Sequence, residues 1–336
     1  MPEKSEIDEL TAGSHDAARP PQAAENGPLF LEGWLEFNER RWGVTATPQI
    51  YGLENATLPS LTTMLYLDAK RRVLQTPSSP YLPAVFRSSP TDAPYRLYRQ
   101  WLQVIDLFAA DLSKRAIVRT IGLPPEIVDV RPLLWRRFSV SVRYTVYLNF
   151  PYSTAFADHS VRKNARKATE AGYTSSREMD VTAVYECLKA TEARQGFSHQ
   201  ITHQDLELIR NLMGDEHCRV YVARTSRGEP AAARVVLHQP GNRAIDWVAG
   251  TVGAHLRSGV TQQLIACTLA DLEAAGATGF DFAGANHRNV AAAKASWGGV
   301  LTPYYVVEAA TLRAATRALR DLALGYMPRR SREDER

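Results

Sequence analysis

The sequence lacks most of the features that place a chain in a class at sight. It has no run of about 18 apolar residues, so no membrane-spanning helix is expected. The segment up to Gly27 is acidic and rich in Pro and Ala, without the apolar stretch of a secretory signal. Cysteine is scarce: Cys187, Cys218 and Cys267 stand far apart and form no CxxC pair. This excludes a disulfide framework and makes a reducing cytoplasm the expected compartment. His199 and His203 are four residues apart, but no third ligand accompanies them, so no metal is expected. No GxGxxG follows a first strand and no GxxxxGKS/T run occurs, which removes the dinucleotide-binding and P-loop phosphate cradles.

What is present is ordinary in bulk and uneven in detail. The 336 residues exceed the usual size of one domain, so two are expected. Hydrophobic residues make up 45% and charged residues 23%, as in soluble globular chains. The net charge of +4 hides an asymmetry. Residues 1–27 hold two basic residues against six acidic ones, and read as a disordered tail. Arg131 to Arg177 holds nine basic residues against two acids, a focus that suits a phosphate-bearing partner or, equally, a solvated face. Within it Arg162/Arg166 and Lys163/Lys167 are i, i+4 pairs on one helix; a bound anion relieves their repulsion, and surface solubility is the competing explanation.

Periodicity gives the coarse structure. Trp34, Leu35, Phe37 and Trp42 suggest a short helix and loop, and Thr63 to Leu67 a strand in a proline-broken region. Leu97, Trp101, Val104, Ile105, Phe108 and Leu112 predict a helix with one apolar stripe. Ser139 to Phe150 alternates as a strand. Asp158 or Ser160 caps a helix that stops at Gly172, and a second helix ends at Gly196. A third, from Asp205 to Leu212, precedes three antiparallel strands near 219–224, 231–238 and 243–249. A helix from Val260 to Ala275, a buried strand Gly279–Phe282, a helix from Asn289 to Ser296 and a strand Leu301–Val307 complete the order, which implies a mixed α+β sheet.

That order is used by N-acetyltransferase-like (GNAT) domains, and local runs are more specific. Arg162-Lys163-Asn164-Ala165-Arg166-Lys167-Ala168 before Gly172-Tyr173, Gly279 to Asn286, Lys294-Ala295-Ser296-Trp297-Gly298-Gly299 and Pro303-Tyr304-Tyr305 together resemble the Fem-type aminoacyltransferases. The resemblance spans roughly residues 30–310 and is densest from 140 to 308. It implies two GNAT-like domains: 28–145 and 146–310, a C-terminal helix at 311–326 packing back on the first, and a charged tail at 327–336. The helical coiled-coil arm of some members has no heptad segment here.

The implied reaction is aminolysis of an aminoacyl-tRNA ester by an amine of a peptide or nucleotide-linked peptide. The ester is already activated, so positioning and oxyanion stabilisation suffice and no cofactor beyond the tRNA co-substrate is expected. By resemblance Lys294 is the cation at the oxyanion; an exposed helix lysine is the competing explanation. Ala293 stands where the family often has an aromatic residue. Asp281, at the end of a buried strand beside Gly284 and Asn286, orients the attacking ammonium or holds Arg288, with a satisfied structural aspartate as the competing explanation. Trp297, Tyr304 and Tyr305 form either an aromatic wall for a substrate or core, and Asp246 and Trp247 are divided the same way.

Two other functions compete. An acyl-CoA-dependent transferase on this fold grips pyrophosphate with Gln/Arg-x-x-Gly-x-Gly/Ala at a helix N-terminus; in Leu256-Arg257-Ser258-Gly259-Val260-Thr261 only Gly259 fits. A non-catalytic RNA- or precursor-binding module is the other.

Overall fold

The computed structural model describes residues 26–53, 57–118 and 120–309. The expected acidic tail lies almost wholly outside the described residues, as do the 311–326 helix and the 327–336 tail.

The first half opens with a 3-10 turn, Pro28–Phe30, and helix α1, Glu32–Trp42. Strands β1 (Thr45–Gly52), β2 (Ser60–Leu67), β3 (Val73–Leu74) and β4 (Ala84–Arg87) lead to α2 (Pro94–Ser113). Then come β5 (Ile117–Val118), β6 (Thr120–Gly122), α3 (Arg131–Trp135) and the long β7 (Ser139–Asn149). The second half runs α4 (His159–Glu170), β8 (Thr174–Glu178), α5 (Val181–Gln195), α6 (His203–His217), β9 (Cys218–Arg224), β10 (Pro230–Leu237) and β11 (Arg243–Thr251). It closes with α7 (Val260–Ala274), β12 (Gly279–Asp281), α8 (Arg288–Ala295) and β13 (Val300–Glu308).

The α+β expectation holds. A five-stranded sheet runs β1-β2-β3-β5, with β4 also on β2, and an eight-stranded sheet runs β6-β13-β7-β12-β11-β10-β9-β8. The eight-stranded sheet is mixed, because β11 and β12 are parallel while their neighbours pair antiparallel. No described helix exceeds the 20 residues of α2, and no coiled-coil arm is present among the described residues.

Helix ends follow their capping chemistry. Asp158 accepts from Ser160 N–H to open α4, and Asp180 accepts from Ala183 N–H to open α5. Gly196, at φ 68°, closes α5 in the left-handed conformation. Two sequence readings are corrected. The loop expected after α1 is the edge strand β1, whose Pro48 a helix interior would reject and an edge tolerates. The third helix of the second half starts earlier than Asp205, at His203, because Thr202 and Asp205 build a capping box ahead of it; its regular run breaks at Gly214, φ 68°, close to the expected Leu212 end.

Three apolar clusters hold the layers. Leu61, Leu65, Val104, Ile105, Phe108 and Val307 join the small sheet to α2 and β13. Val184, Leu188, Ile209, Val222, Val235 and Trp247 join α5 and α6 to one face of the large sheet. Val161, Leu264, Leu269, Phe280, Phe282 and Trp297 join α4 and α7 to the opposite face. Helix α1 lies in the first half of the chain yet packs into the second cluster: Trp34 and Phe37 meet Trp247 edge-on at 5.7 and 5.6 Å. The 145/146 division falls inside β7, a strand central to the large sheet.

The contact of α4 with α7 is unusually close. Gly259 caps α7 at φ 87°, and a Cβ there would run into the carbonyl of Asn164 on α4. Lys167 Nζ donates to Arg257 O at 2.9 Å across the same seam. Gly259→Ala is therefore expected to cost about 2 kcal/mol, from a strained left-handed residue plus displaced backbone. Calorimetric unfolding checks this; an unchanged midpoint would refute the packing.

Candidate active site

The site begins where β11 and β12 part. Their parallel ladder covers only Arg243 to Ile245 against Gly279 to Asp281, after which β11 continues to Thr251 paired with β10 but no longer with β12. The chain beyond β12 follows β7 instead: Phe282 N–H donates to Val146 O at 3.1 Å and Ala285 N–H to Tyr144 O at 2.6 Å. Asn286 completes the diversion by accepting from Tyr144 N–H at 2.8 Å through its side-chain oxygen. A wedge opens between β11 and residues 282–286.

Asp281 sits at the root of this wedge, 1% exposed. Its Oδ1 accepts from Thr145 Oγ1 at 2.5 Å and from Ala283 N–H at 2.8 Å; its Oδ2 accepts from the Tyr81 hydroxyl at 2.9 Å. All three donors are neutral. Burial pushes the carboxyl up to about 6, and the three hydrogen bonds offset this only in part. The Tyr81 and Tyr147 phenols are pushed far up by burial and by the Asp281 charge, so both remain protonated donors at neutral pH.

Two hollows flank Tyr81. The smaller, about 360 Å³, has Asp281, Tyr147 and Glu126 among mainly apolar walls. The larger, about 940 Å³, is more polar; Arg143, His199, Trp247, Asn286, His287 and Tyr304 contribute to it. Tyr304 meets the Tyr81 ring edge-on at 5.1 Å from the side of the larger hollow.

Lys294 reaches the same turn. Its Nζ donates to Phe282 O at 2.5 Å, Ala283 O at 2.9 Å and Gly284 O at 2.7 Å. Ala283 and Gly284 are at φ 48° and 78°, and this left-handed pair turns three successive carbonyls towards the ammonium. Lys294 and Asp281 therefore belong to one constellation, linked through Ala283. Burial pulls the ammonium below its ordinary value, opposed by the charges of Asp246 and Asp281. Asp246 pairs with Arg234 at 3.3 Å, and both are buried. Asp246 Oδ1 and Arg234 Nε have no hydrogen-bond partner among the described residues. Burial raises the Asp246 carboxyl, with Arg234 and Lys294 opposing.

The other expected site residues divide. Asn286 and Tyr304 line the larger hollow. Trp297 is 2% exposed in the α4–α7 cluster, 6.4 Å from Phe282, so the structure places it in the core. The basic helix α4 packs on that same face, whereas the hollows open among residues of the opposite cluster such as Tyr81, Ile245 and Trp247. Its cations are unequally employed. Arg162 folds back onto the carbonyls of Thr154, Ala155 and Ala157, and Lys167 holds Arg257 O. Arg166 lies 3.6 Å from Glu170, and Lys163 is exposed. His199 pairs with Glu192 at 3.2 Å. No cluster of three or more His, Cys, Asp or Glu is placed to hold a metal among the described residues, and no described helix is long and apolar enough to cross a membrane.

Sequence reading missed Tyr81, Thr145, Tyr147, Glu126 and Arg234. Thr145 and Tyr147 carried a signal: they occupy the positions between Tyr144, Val146 and Leu148 in an alternating strand, hence its other face. Arg234 interrupts an otherwise apolar strand. Tyr81 lies 200 residues from the carboxylate it serves, in a proline-rich stretch that offers no period to read.

The strand order and the parting of β11 from β12 define the class by fold: a GNAT-fold protein. Residues 156–291 match the family model "Acetyltransferase (GNAT) domain". Within that class the architecture is Fem-like. The structure is similar to that of FemX, with a TM-score of 0.58 at 13% identity over 87% of this chain and 94% of that one. It is also similar to the C-terminal domain of a protein described as a lysylphosphatidylglycerol synthetase from Agrobacterium fabrum (0.54, 12%, covering 86% and 96%). A third likeness is to L-PGS from Bacillus licheniformis (0.50, 11%, covering 89% and 98%). No functionally curated protein matches the sequence.

Proposed function

We propose that the protein transfers an aminoacyl group from aminoacyl-tRNA to an amine of a peptide acceptor, forming an amide. The observation that carries this reading is Asp281: a buried carboxylate at the edge of a hollow, held by neutral donors only, with its carboxyl at about 6. Such a group is ionised at neutral pH yet basic enough to take a proton from an attacking nitrogen.

The amine binds as an ammonium and passes one proton to solvent before it attacks. Its nitrogen attacks the ester carbonyl. Asp281 accepts the second N–H proton as the C–N bond forms and passes it to the terminal ribose oxygen as the C–O bond breaks. The products are an amide and a free tRNA hydroxyl, and the carboxylate is regenerated. Tyr81 and Thr145 keep the carboxylate aimed. Lys294 acts by position: it fixes the 282–284 turn and places a positive charge beside the wedge, where the oxyanion develops. The exposed cations of α4, Lys163 and Arg166, lie on the sheet face opposite the hollows, so they suit donor phosphates remote from the reacting ester.

A likeness to a lysylphosphatidylglycerol synthetase supports aminoacyl transfer as the class of chemistry. The close approach of Asn164 to Gly259 supports it from the other side. Asn164 of α4 packs its carbonyl against Gly259, the N-cap of α7, which leaves little room on that side of the helix end where a CoA pyrophosphate would seat. The test mixes the protein with tRNA bearing radiolabelled amino acids, or with labelled acetyl-CoA, and a panel of peptide amines. Amide-linked label is expected from charged tRNA. Label from acetyl-CoA alone would overturn the reading.

A further inference from the structure

The smaller hollow has an apolar body and one acidic end. Leu29, Leu82, Ala84, Phe86 and Ile127 supply apolar wall. Asp281 and Glu126 supply two carboxylates, each held by its own phenol: Tyr81 donates to Asp281, and Tyr147 to Glu126 at 3.1 Å. The cation at the rim is already engaged. Arg243 donates to Leu148 O at 2.5 Å and Asn149 Oδ1 at 2.9 Å, and its guanidinium lies 4.1 Å over the Tyr147 ring. The buried Asp281 carboxylate is thus left facing a hollow with no directly bonded cation. About 360 Å³ is at the small end of the range for small-molecule sites.

From this geometry we infer that the smaller hollow is the subsite for the attacking amine, and that it selects an amine carrying an aromatic-sized apolar group. The inference rests on the aminoacyl-transfer reading for the word attacking; the binding itself does not. An acidic end beside an apolar body recognises an ammonium and a hydrocarbon together and discriminates against either alone. Small amines leave the walls unfilled, and neutral isosteres leave Asp281 without a cation.

The probes are 2-phenylethylamine, ethylamine and 2-phenylethanol, titrated into the full chain at pH 7.5 by calorimetry and ligand-observed NMR. 2-Phenylethylamine is expected to bind at least tenfold more tightly than either of the others, since burial of the phenyl group alone is worth about that factor. Val85→Trp, which fills the hollow from β4, is expected to weaken it at least tenfold, with unfolding monitored to show the chain is intact. Equal binding of ethylamine, equal binding of 2-phenylethanol, or unchanged binding in a folded Val85→Trp variant would each overturn the assignment. Loss of the transfer reading leaves a different trace. If charged tRNA gives no product while 2-phenylethylamine still binds selectively, the subsite stands and the reaction falls. If transfer proceeds but aromatic and small amines are used equally, the subsite falls alone.

Discussion

Asp281→Asn is expected to abolish transfer, by about 10²–10⁴-fold in kcat, without lowering stability at pH 7.5. The two halves have one cause. The carboxylate is fully buried among neutral donors, and its carboxyl lies at about 6 rather than near the usual 4. A folded-state value above the unfolded one means the folded chain binds more protons between about pH 4 and 6. Stability therefore falls as pH rises through that window, by an amount of order 3 kcal/mol at most. Asparagine removes the charge and this slope with it. Its amide still accepts from Ala283 N–H, and the Tyr81 hydroxyl can reverse to accept from the amide nitrogen. Wild-type transfer should in turn fall below about pH 6, as protonation removes the base. Thermal unfolding from pH 4 to 8 and a pH–rate profile check both. A variant that keeps its activity would remove Asp281 from the chemistry. One that unfolds well below wild type at pH 7.5 would make it a structural aspartate.

The parts of this site differ in how legible they were. The second half read well because its helices and strands are bounded by local chemistry: Asp158 and Asp180 cap, Gly196 terminates, and β9, β10 and β11 are apolar runs between turns. Asp281 is conspicuous in the sequence because it ends a short apolar strand beside glycine. What stayed hidden was everything decided by pairing between distant segments. β8 is polar along its length and becomes a strand through its ladder with β9. The basic stretch from Arg131 to Arg177 looked like one patch in sequence, yet it divides among α3, β7, α4 and β8. Arg131 and Arg136 are spent on Asp129 and Asp106 beside the small sheet's helices. Tyr81 reaches Asp281 only because the small sheet's loops close over the large sheet, a contact with no local signature.

Lys294→Met is expected to be the most destabilising single change at this site, about 3–5 kcal/mol, and so to lower the unfolding midpoint by roughly 6–10 °C. An exposed helix lysine would cost nothing measurable. Here three carbonyls converge on one ammonium, and no other described group donates to them in its place. Ala283 is held at φ 48° by that convergence, so the turn loses its reason to stay strained. Asp246 also loses a neighbouring cation and is left with Arg234 alone, in a setting where burial already disfavours its charge. Arginine should not rescue, because a planar fork cannot meet three carbonyls arranged around a point charge. The positioning role has its own readout. With the cation gone, the Asp281 carboxyl should rise further, and the acid limb of the residual pH–rate profile should move to higher pH in variants assayed below their unfolding temperature. An unfolding midpoint within about 1 °C of wild type would return Lys294 to the solvent and leave its catalytic role to rest on contact with the substrate.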